Sequence, residues 1–325
     1  MGTRRVYLLQ KGWSEPLLGR NNIRILFNIC GVFLLCIFFL LSWRSFEASS
    51  LLKQFQTLWE QPYTVMFLII MYGIAFLLRA YAWKLYLHHR ITIKEALYGL
   101  LYSLFINHVS PLKVGDAVRI AVITKEKKVT LGEATQSVIV LRILDLLILG
   151  MFGAVGMFLL WRNILLNVPV ILTCICIGSV MGLLIYKKAP QFVDKQWKQL
   201  KGALFTAKGG IILLLIALSW ICEAFVIYEI AQSLSFAQAV WVNSVTIAGQ
   251  VFQLTPGGIG TYETVMTFAL QAVGAVQSDA YQWSLMSHGF KFIFSYGVGV
   301  ILLFVYPMEL RSFFSQKGEG IRWKK

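Results

Sequence analysis

The chain contains six long blocks of predominantly apolar residues, and these blocks restrict the fold more than any other feature. About 20 apolar residues in an α-helix are enough to cross the hydrocarbon core of a bilayer. Only 14% of the 325 residues are charged, whereas soluble domains contain about 25%. The sequence therefore predicts an all-α polytopic membrane protein, a single integral membrane domain over 1–325. The six predicted spans are roughly 24–43, 63–83, 134–160, 164–186, 210–232 and 281–306.

Basic residues exceed acidic ones, with 30 Lys and Arg against 15 Asp and Glu, and most of them flank the apolar blocks. Cationic loops stay on the cytoplasmic side of a membrane and attract anionic lipid headgroups. Residues 1–24 carry five cations and one acid, and residues 187–208 carry six Lys and one Asp. We therefore expect a cell-membrane protein with both termini in the cytoplasm. Its expected partner is an anionic membrane lipid rather than a nucleic acid.

Two further apolar blocks, about 97–118 and 240–275, are interrupted by Pro and Gly. The first lies between the cation-rich segments 84–95 and 119–133, so both of its ends are expected in the cytoplasm. The second follows the uncharged segment 233–239, and both of its ends are expected outside. Each block is therefore predicted to be a re-entrant hairpin, which enters and leaves the membrane on the same side.

The spans and hairpins divide the chain into two halves, about 20–160 and 164–306, followed by a short cytoplasmic tail at 307–325. Each half has three predicted spans, with a hairpin between the second and the third. Because the number of spans in a half is odd, the second half is upside down relative to the first. The result is an inverted-topology repeat, an architecture of many secondary transporters.

The two interrupted blocks carry similar breaks, each with a hydroxyl residue, a Pro, and a Gly close to an acid. Pro removes an amide donor, Gly allows close approach of the backbone, and helix N-termini attract anions. Paired breaks in two halves point to a transport site, although ordinary kinks in packed helices are the alternative. The break residues are Ser110, Pro111, Gly115 and Asp116 in the first half, and Thr255, Pro256, Gly257, Gly258, Gly260 and Glu263 in the second.

Ionisable residues within membrane segments are costly and usually functional. Around the breaks the cations outnumber the acids, which suits a lipid with an anionic headgroup, such as a phospholipid or a polyprenyl phosphate. The candidate substrate-binding residues are Lys113, Asp116, Arg119, Arg142, Glu263 and Lys291, and His288 lies on the same helix face as Lys291.

Several charged residues have a structural alternative. Arg79 lies near the inner end of its span, where its side chain could extend to the lipid headgroups. Arg142 and Asp145 have the i,i+3 spacing of an internal pair, which competes with a ligand for Arg142. Glu223 lies near the middle of the fifth span, where a carboxyl group is protonated, paired with an arginine or part of a proton path.

The sequence gives no sign of catalysis or of a cofactor. The five cysteines lie within apolar blocks, and we expect them to be reduced packing residues. No phosphate-binding Gly-rich loop and no Ser/His/Asp or Cys/His set stands out. His108, before the first break, is expected to bond backbone rather than to act in catalysis. We therefore predict no cofactor, no metal site and no ATP-driven transport.

Taken in order, these motifs resemble those of the flippase-like integral membrane family, which includes the transmembrane region of lysylphosphatidylglycerol synthases (multiple peptide resistance factors). The resemblance covers about 20–310 and implies a lipid-translocating domain that acts on anionic or aminoacylated phospholipid. The residues that carry it are Asn107, Ser110, Pro111, Lys113, Gly115, Asp116 and Arg119, then Arg142 and Asp145, and then Pro256, Gly257, Gly258, Gly260 and Glu263.

Full-length synthases of this family add a cytoplasmic domain that transfers lysine from lysyl-tRNA to phosphatidylglycerol. Residues 307–325 are too few to form the core of such a domain. We therefore predict a lipid flippase-like transporter rather than an enzyme for this chain alone. The alternatives are a lipid-modifying protein of the phosphatidylglycerol lysyltransferase type and a non-transporting subunit of a separate synthase. A separate lipid synthase or a second copy of the chain is the expected protein partner.

Overall fold

A computed structural model of the chain describes residues 36–40, 42–44, 46–110, 114–125, 128–160, 190–206, 208–250 and 255–307, with positions 32, 186 and 187. These residues form α-helices joined by short connections, and no β-strand occurs among them. The prediction of an all-α fold is confirmed. In chain order the main helices are α1 (Ala48–Trp59), α2 (Pro62–Tyr86), α3 (Ile93–Val109), α4 (Gly115–Thr124), α5 (Leu131–Leu160), α6 (Pro190–Leu204), α7 (Gly209–Ile230), α8 (Phe236–Gly249), α9 (Thr261–Ala272) and α10 (Gln277–Val305).

Within the described ranges, four helices are long and apolar enough to cross a membrane, namely α2, α5, α7 and α10. They coincide with four of the six predicted spans. The other two predicted spans, 24–43 and 164–186, lie largely outside the described residues. The four helices support a multi-pass membrane protein.

Each interrupted block forms two short helices that pack against each other in opposite directions. Gly115 begins α4 and lies beside Ser103 in the second half of α3. In the second block, the Gln238 amide near the start of α8 donates a hydrogen bond to the Val273 carbonyl just after α9, at 3.2 Å. This antiparallel packing is the geometry that a re-entrant hairpin requires, and it supports the re-entry that we propose.

The first helix of each hairpin begins with the same capping arrangement. Thr92 and Glu95 cap α3 reciprocally, because the Glu95 N–H donates to Thr92 Oγ1 at 3.1 Å and the Thr92 N–H donates to Glu95 Oε2 at 2.6 Å. Ser235 and Gln238 form the equivalent box on α8. Burial opposes ionisation of the Glu95 carboxyl, but hydrogen bonds from the Thr92 N–H and from Lys128 outweigh it and lower its pKa. The two caps fix where both hairpins start.

Contacts between the two halves follow a matching pattern. The first helix of each hairpin lies against the last long helix of the other half, so that α3 packs on α10 and α8 packs on α5. The central helices α2 and α7 pair Phe67 with Phe225 and Arg79 with Ser219, so they run in opposite directions. The order of elements (short helix, long helix, hairpin, long helix) is also the same in both halves. These observations support the inverted repeat that we propose.

The substitution Gly115→Ala is expected to destabilise the protein by about 1–3 kcal/mol, as overpacking of a tight contact does. An added Cβ would lie 2.5 Å from the Ser103 carbonyl oxygen and 2.7 Å from Asn107 Nδ2. The Gly115 N–H also donates to Asn107 Oδ1 at 2.9 Å, so any shift weakens a bond across the break. The thermal unfolding midpoint in detergent measures the effect. Gly150→Ala is the control, because its Cβ would meet nothing within 4 Å, and an equal effect of both substitutions would contradict the close α3–α4 contact.

Candidate functional site

A cavity of about 390 Å³ lies between the long helices and the two breaks. Its wall takes residues from α2, α3, α4, α5, α7, α8 and α10, and from the second break. Most of the charged residues singled out in the sequence meet here, although they come from segments far apart in the chain. The wall residues that carry polar groups are Tyr72, Arg79, Ser103, Asn107, His108, Asp116, Arg119, Arg142, Asp145, Trp220, Glu223, Gln250, Gly257 (through its backbone), His288 and Lys291.

Other candidates lie elsewhere. Lys113 and Pro111 lie outside the described residues. Glu263 is buried behind the wall, where it contacts His288 instead of the cavity. The remaining candidates shape the breaks and are absent from the wall; they are Ser110, Gly115, Thr255, Pro256, Gly258 and Gly260.

The first charged cluster is formed by Asp116 on α4 and two arginines. Arg142 on α5 binds the Asp116 carboxylate with two nitrogens, Nη2 at 2.8 Å and Nε at 3.2 Å. The alternative of an internal pair between Arg142 and Asp145 is therefore wrong, because the fold of the first hairpin brings Asp116 against Arg142. In the described part of the chain Arg142 forms its hydrogen bonds with this carboxylate, and 45% of the Arg142 side chain stays exposed.

Arg119 is the second arginine of this cluster, and its hydrogen-bonding capacity is only partly used. Its side chain is 5% exposed, and its Nη1 lies 3.4 Å from Asp116 Oδ1, which is a long bond. The guanidinium carbon lies 4.8 Å from the ring centroid of Trp83, in cation–π contact. Its buried Nε has no hydrogen-bond partner in the described part of the chain. Arg119 can therefore accept an anion without losing a strong internal pair.

The second charged cluster is centred on Glu223 of α7. Arg79 Nη2 donates to Glu223 Oε2 at 2.7 Å, and Lys291 Nζ donates to Glu223 Oε1 at 2.9 Å. Arg79 thus points into the protein, and the alternative that it reaches the lipid headgroups is wrong. Of the three alternatives for Glu223, the structure shows the paired one, with two cations from α2 and α10.

Asp145 bonds a tryptophan instead of an arginine. Trp220 Nε1 donates to Asp145 Oδ1 at 3.1 Å, and the Trp220 ring lies under the guanidinium of Arg79 at 3.8 Å. This ring therefore contacts Arg79 of the second cluster and Asp145 on α5, which lies one turn after Arg142. Polar side chains buried in this way need such partners, since an unpaired buried charge is costly.

The second break has a backbone that requires glycine. Gly257, Gly258 and Gly260 have φ angles of 65°, 84° and 85°, in the left-handed region that other residues rarely adopt. The turn is closed by the Gly258 N–H, which donates to the Thr255 carbonyl at 3.0 Å. The Glu263 carboxylate accepts from the Gly260 N–H at 2.6 Å and so caps the start of α9. The Pro-Gly-Gly-x-Gly-x-x-Glu motif thus encodes a turn followed by a capped helix.

His288 ties this break to α10. Its Nδ1 lies 2.6 Å from Glu263 Oε1, and its Nε2 lies 3.0 Å from the Gly257 carbonyl oxygen. Across the break His108 bonds the Leu104 carbonyl through Nδ1 at 2.9 Å, as its position before the first break predicted. Both histidines are buried, and both contribute to the cavity wall.

The family described as the lysylphosphatidylglycerol synthase TM region matches residues 27–299. The chain belongs to this family. No curated protein and no solved structure matches the chain.

Membership in the lysylphosphatidylglycerol synthase TM-region family supports a lipid-related function in a membrane. It also confirms the resemblance that the paired motifs suggested. In the described part of the chain, no group of three or more His, Cys, Asp and Glu residues could hold a metal ion.

Sequence reasoning missed the aromatic part of this site. Trp83, Trp220 and Tyr72 contact Arg119, Arg79 and Lys291, respectively, through their ring faces. Tryptophan is common at membrane interfaces, so the sequence alone gives little reason to place these rings beside buried cations. No local spacing links these rings to the cations, because the two members of each pair come from separate segments of the chain.

Proposed function

We propose that the protein is a flippase-like transporter, which moves an anionic or aminoacylated phospholipid or a polyprenyl-phosphate lipid across the cell membrane. The headgroup enters the cavity between the two breaks, and the acyl chains remain in the bilayer. The observation that carries this proposal is Arg119, a buried cation at the cavity wall with an unpartnered Nε among the described residues. A phosphate oxygen is the acceptor that a guanidinium N–H suits best.

The charge of the wall also favours an anion. Four cations line it, namely Arg79, Arg119, Arg142 and Lys291, against the three carboxylates of Asp116, Asp145 and Glu223. A negative headgroup would compensate for this excess in a site of low dielectric constant, where an electrostatic attraction is strong. The volume of about 390 Å³ lies within the range of about 300–1,000 Å³ typical of small-molecule sites.

The cavity has an edge from which a lipid can enter sideways. Leu146 lines it and is 50% exposed, one turn after the half-exposed Arg142 on α5. A charged group and an apolar surface side chain are therefore adjacent at the opening. This arrangement lets a headgroup enter while its acyl chains stay against the outside of α5.

We expect Arg119→Ala to slow lipid movement by about 10- to 100-fold, because a hydrogen bond to a charged group is worth about 1.5–3 kcal/mol. Asp116 keeps Arg142 as its partner in this variant, so the fold should be retained. The measurement uses proteoliposomes with fluorescent phosphatidylglycerol or lysylphosphatidylglycerol, and a quencher reports headgroups in the outer leaflet.

Arg90→Ala is the matched control, because Arg90 forms an exposed salt bridge with Glu133 away from the cavity. Arg119→Lys should retain part of the activity, since it keeps the charge but loses the planar donors. Equal rates for Arg119→Ala and Arg90→Ala would contradict the headgroup site. Movement by the wild type no faster than in protein-free vesicles, for every lipid tested, would contradict the transport function itself.

A further inference from the structure

His288 is the one buried histidine in the described ranges whose two ring nitrogens both contact oxygen atoms. The residue is buried, with 2% of its surface exposed. Nδ1 meets the Glu263 carboxyl, and Nε2 meets the Gly257 carbonyl. The Glu263 oxygen not bonded to His288 accepts from the Gly260 N–H.

The number of protons in this group follows from its hydrogen bonds. A neutral imidazole has one N–H donor and one acceptor nitrogen, whereas a carbonyl oxygen only accepts. The bond to the Gly257 carbonyl therefore requires a proton on Nε2. The 2.6 Å contact with Glu263 then requires a second proton, either on Nδ1 or on the carboxyl group. The group therefore holds one proton more than a neutral histidine and an ionised glutamate would hold together.

We propose that His288 and Glu263 together bind one exchangeable proton, and that its release opens the Gly257 break, so that lipid movement is coupled to protons. This inference rests on the proposed function and adds the coupling ion to it. When the proton leaves, one ring nitrogen presents a lone pair to an oxygen, at either Gly257 or Glu263. That repulsion weakens the connection between α10 and the break.

The break is placed so that its opening changes the cavity. Gly257 and His288 both line the cavity, so the proton can reach the site from the same space as the headgroup. Phe292 packs against the His288 ring at 4.8 Å between centroids and also contacts His108 at 4.6 Å. Movement of the Gly257 carbonyl away from His288 therefore changes the contacts that close the wall between the two breaks.

Titratable and charged groups face His288 from several helices, and Glu263 is the carboxyl group among them that contacts its ring. On α9, the Tyr262 ring stacks on His288 at 4.3 Å, and on α3, His108 lies 6.3 Å away between ring centroids. Lys291 lies one turn further along α10 and is bonded to Glu223 of α7. On α2, Tyr72 lies against Lys291 and Arg79 bonds Glu223. Glu223 is thus held by two cations, and Glu263 is the carboxyl group in contact with His288.

The proton site can be measured without any lipid. Of the four histidines in the chain, His88 and His89 lie in the turn after α2, so ¹⁵N-histidine NMR of the reconstituted protein should resolve His288. Infrared difference spectra report the protonated carboxyl group. We expect one proton to be released in a single step as the pH is raised, seen at both His288 and Glu263. No such step over the pH range in which the protein stays folded would overturn the proposal.

Glu263→Gln provides the matched variant. Its amide oxygen can accept from the Gly260 N–H, and its amide nitrogen can donate to His288 Nδ1, so every bond of the protonated state is kept. The step should be absent in Glu263→Gln and present in Glu229→Gln, an isosteric change on α7 away from this group. A step that persists in a folded Glu263→Gln variant would overturn the assignment. If the variant does not fold, the wild-type measurement still decides.

Proteoliposomes with a pH-sensitive dye in the lumen test the coupling. The wild type and Glu229→Gln should move protons together with lipid, and Glu263→Gln should lose both movements. Lipid movement by the wild type without protons, unchanged in Glu263→Gln, would overturn the coupling but leave the transport function in place. In the reverse result, the His288–Glu263 site of the wild type releases its proton but the protein moves no lipid. That result would overturn the transport function and the coupling, while the proton site itself would stand.

Discussion

Replacing Glu223 with glutamine should destabilise the folded protein by about 3–5 kcal/mol, because removing one partner of a buried ion pair leaves an uncompensated charge. Glu223 is 3% exposed and binds both Arg79 and Lys291. Glutamine has the same shape but no charge, so Arg79 and Lys291 would lose their common counter-charge. The shift of the thermal unfolding midpoint in detergent measures the loss.

The sharing of one carboxylate by two cations predicts an order among the variants. Lys291→Met leaves Glu223 paired with Arg79, so it should cost less than Glu223→Gln. Glu229→Gln makes the same chemical change six residues later on α7, at a half-buried position with no ion pair in the described part of the chain. A Glu223→Gln midpoint equal to that of Glu229→Gln would contradict the buried cluster, and a larger loss in Lys291→Met would contradict the shared carboxylate.

The sequence predicted the long helices and the breaks well, for a simple physical reason. A span must be apolar over its whole length, so α2, α5, α7 and α10 are visible as composition alone. The breaks are visible because Pro and left-handed Gly have few substitutes, as the φ of 65° at Gly257 shows. These signals are local, and they need no knowledge of which helices touch.

The partners of the buried charges were not predictable in the same way. Arg142 and Asp145 have a favourable local spacing, yet Arg142 binds Asp116, which is 26 residues earlier in the chain. Arg79 binds Glu223 across 144 residues. Spacing identifies neighbours only on one helix, whereas these pairs depend on how the hairpins and the long helices pack.

Glu263 is a second residue whose contacts could not be predicted from the sequence. Its motif position and its charge suggested a substrate-binding residue. Instead, its carboxyl group contacts the Gly260 N–H and His288, behind the cavity wall. A sequence can indicate that an acid near a break is important. Whether its side chain faces the cavity or the protein interior depends on the conformation of the turn.

Trp220→Ala should also cost about 3–5 kcal/mol, the range found when a large buried aromatic residue is truncated. The Trp220 side chain is 5% exposed, and its ring lies against the Arg79 guanidinium at 3.8 Å. Its Nε1–H donates to Asp145 at 3.1 Å, so truncation removes packing, a cation–π contact and a donor to a buried carboxylate together. Thermal unfolding in detergent measures the total.

Trp220→Phe helps to separate these contributions, because it keeps a ring over Arg79 but removes the donor to Asp145 together with part of the ring volume. We expect a cost of about 1–3 kcal/mol for the unsatisfied carboxylate, clearly below that of Trp220→Ala. Trp197→Ala on α6 is the control, since that side chain is 55% exposed and should cost little. Equal costs for Trp220→Phe and Trp220→Ala would mean that the bond to Asp145 dominates. A cost for Trp220→Ala as small as that for Trp197→Ala would contradict the buried contacts of Trp220 with Arg79 and Asp145.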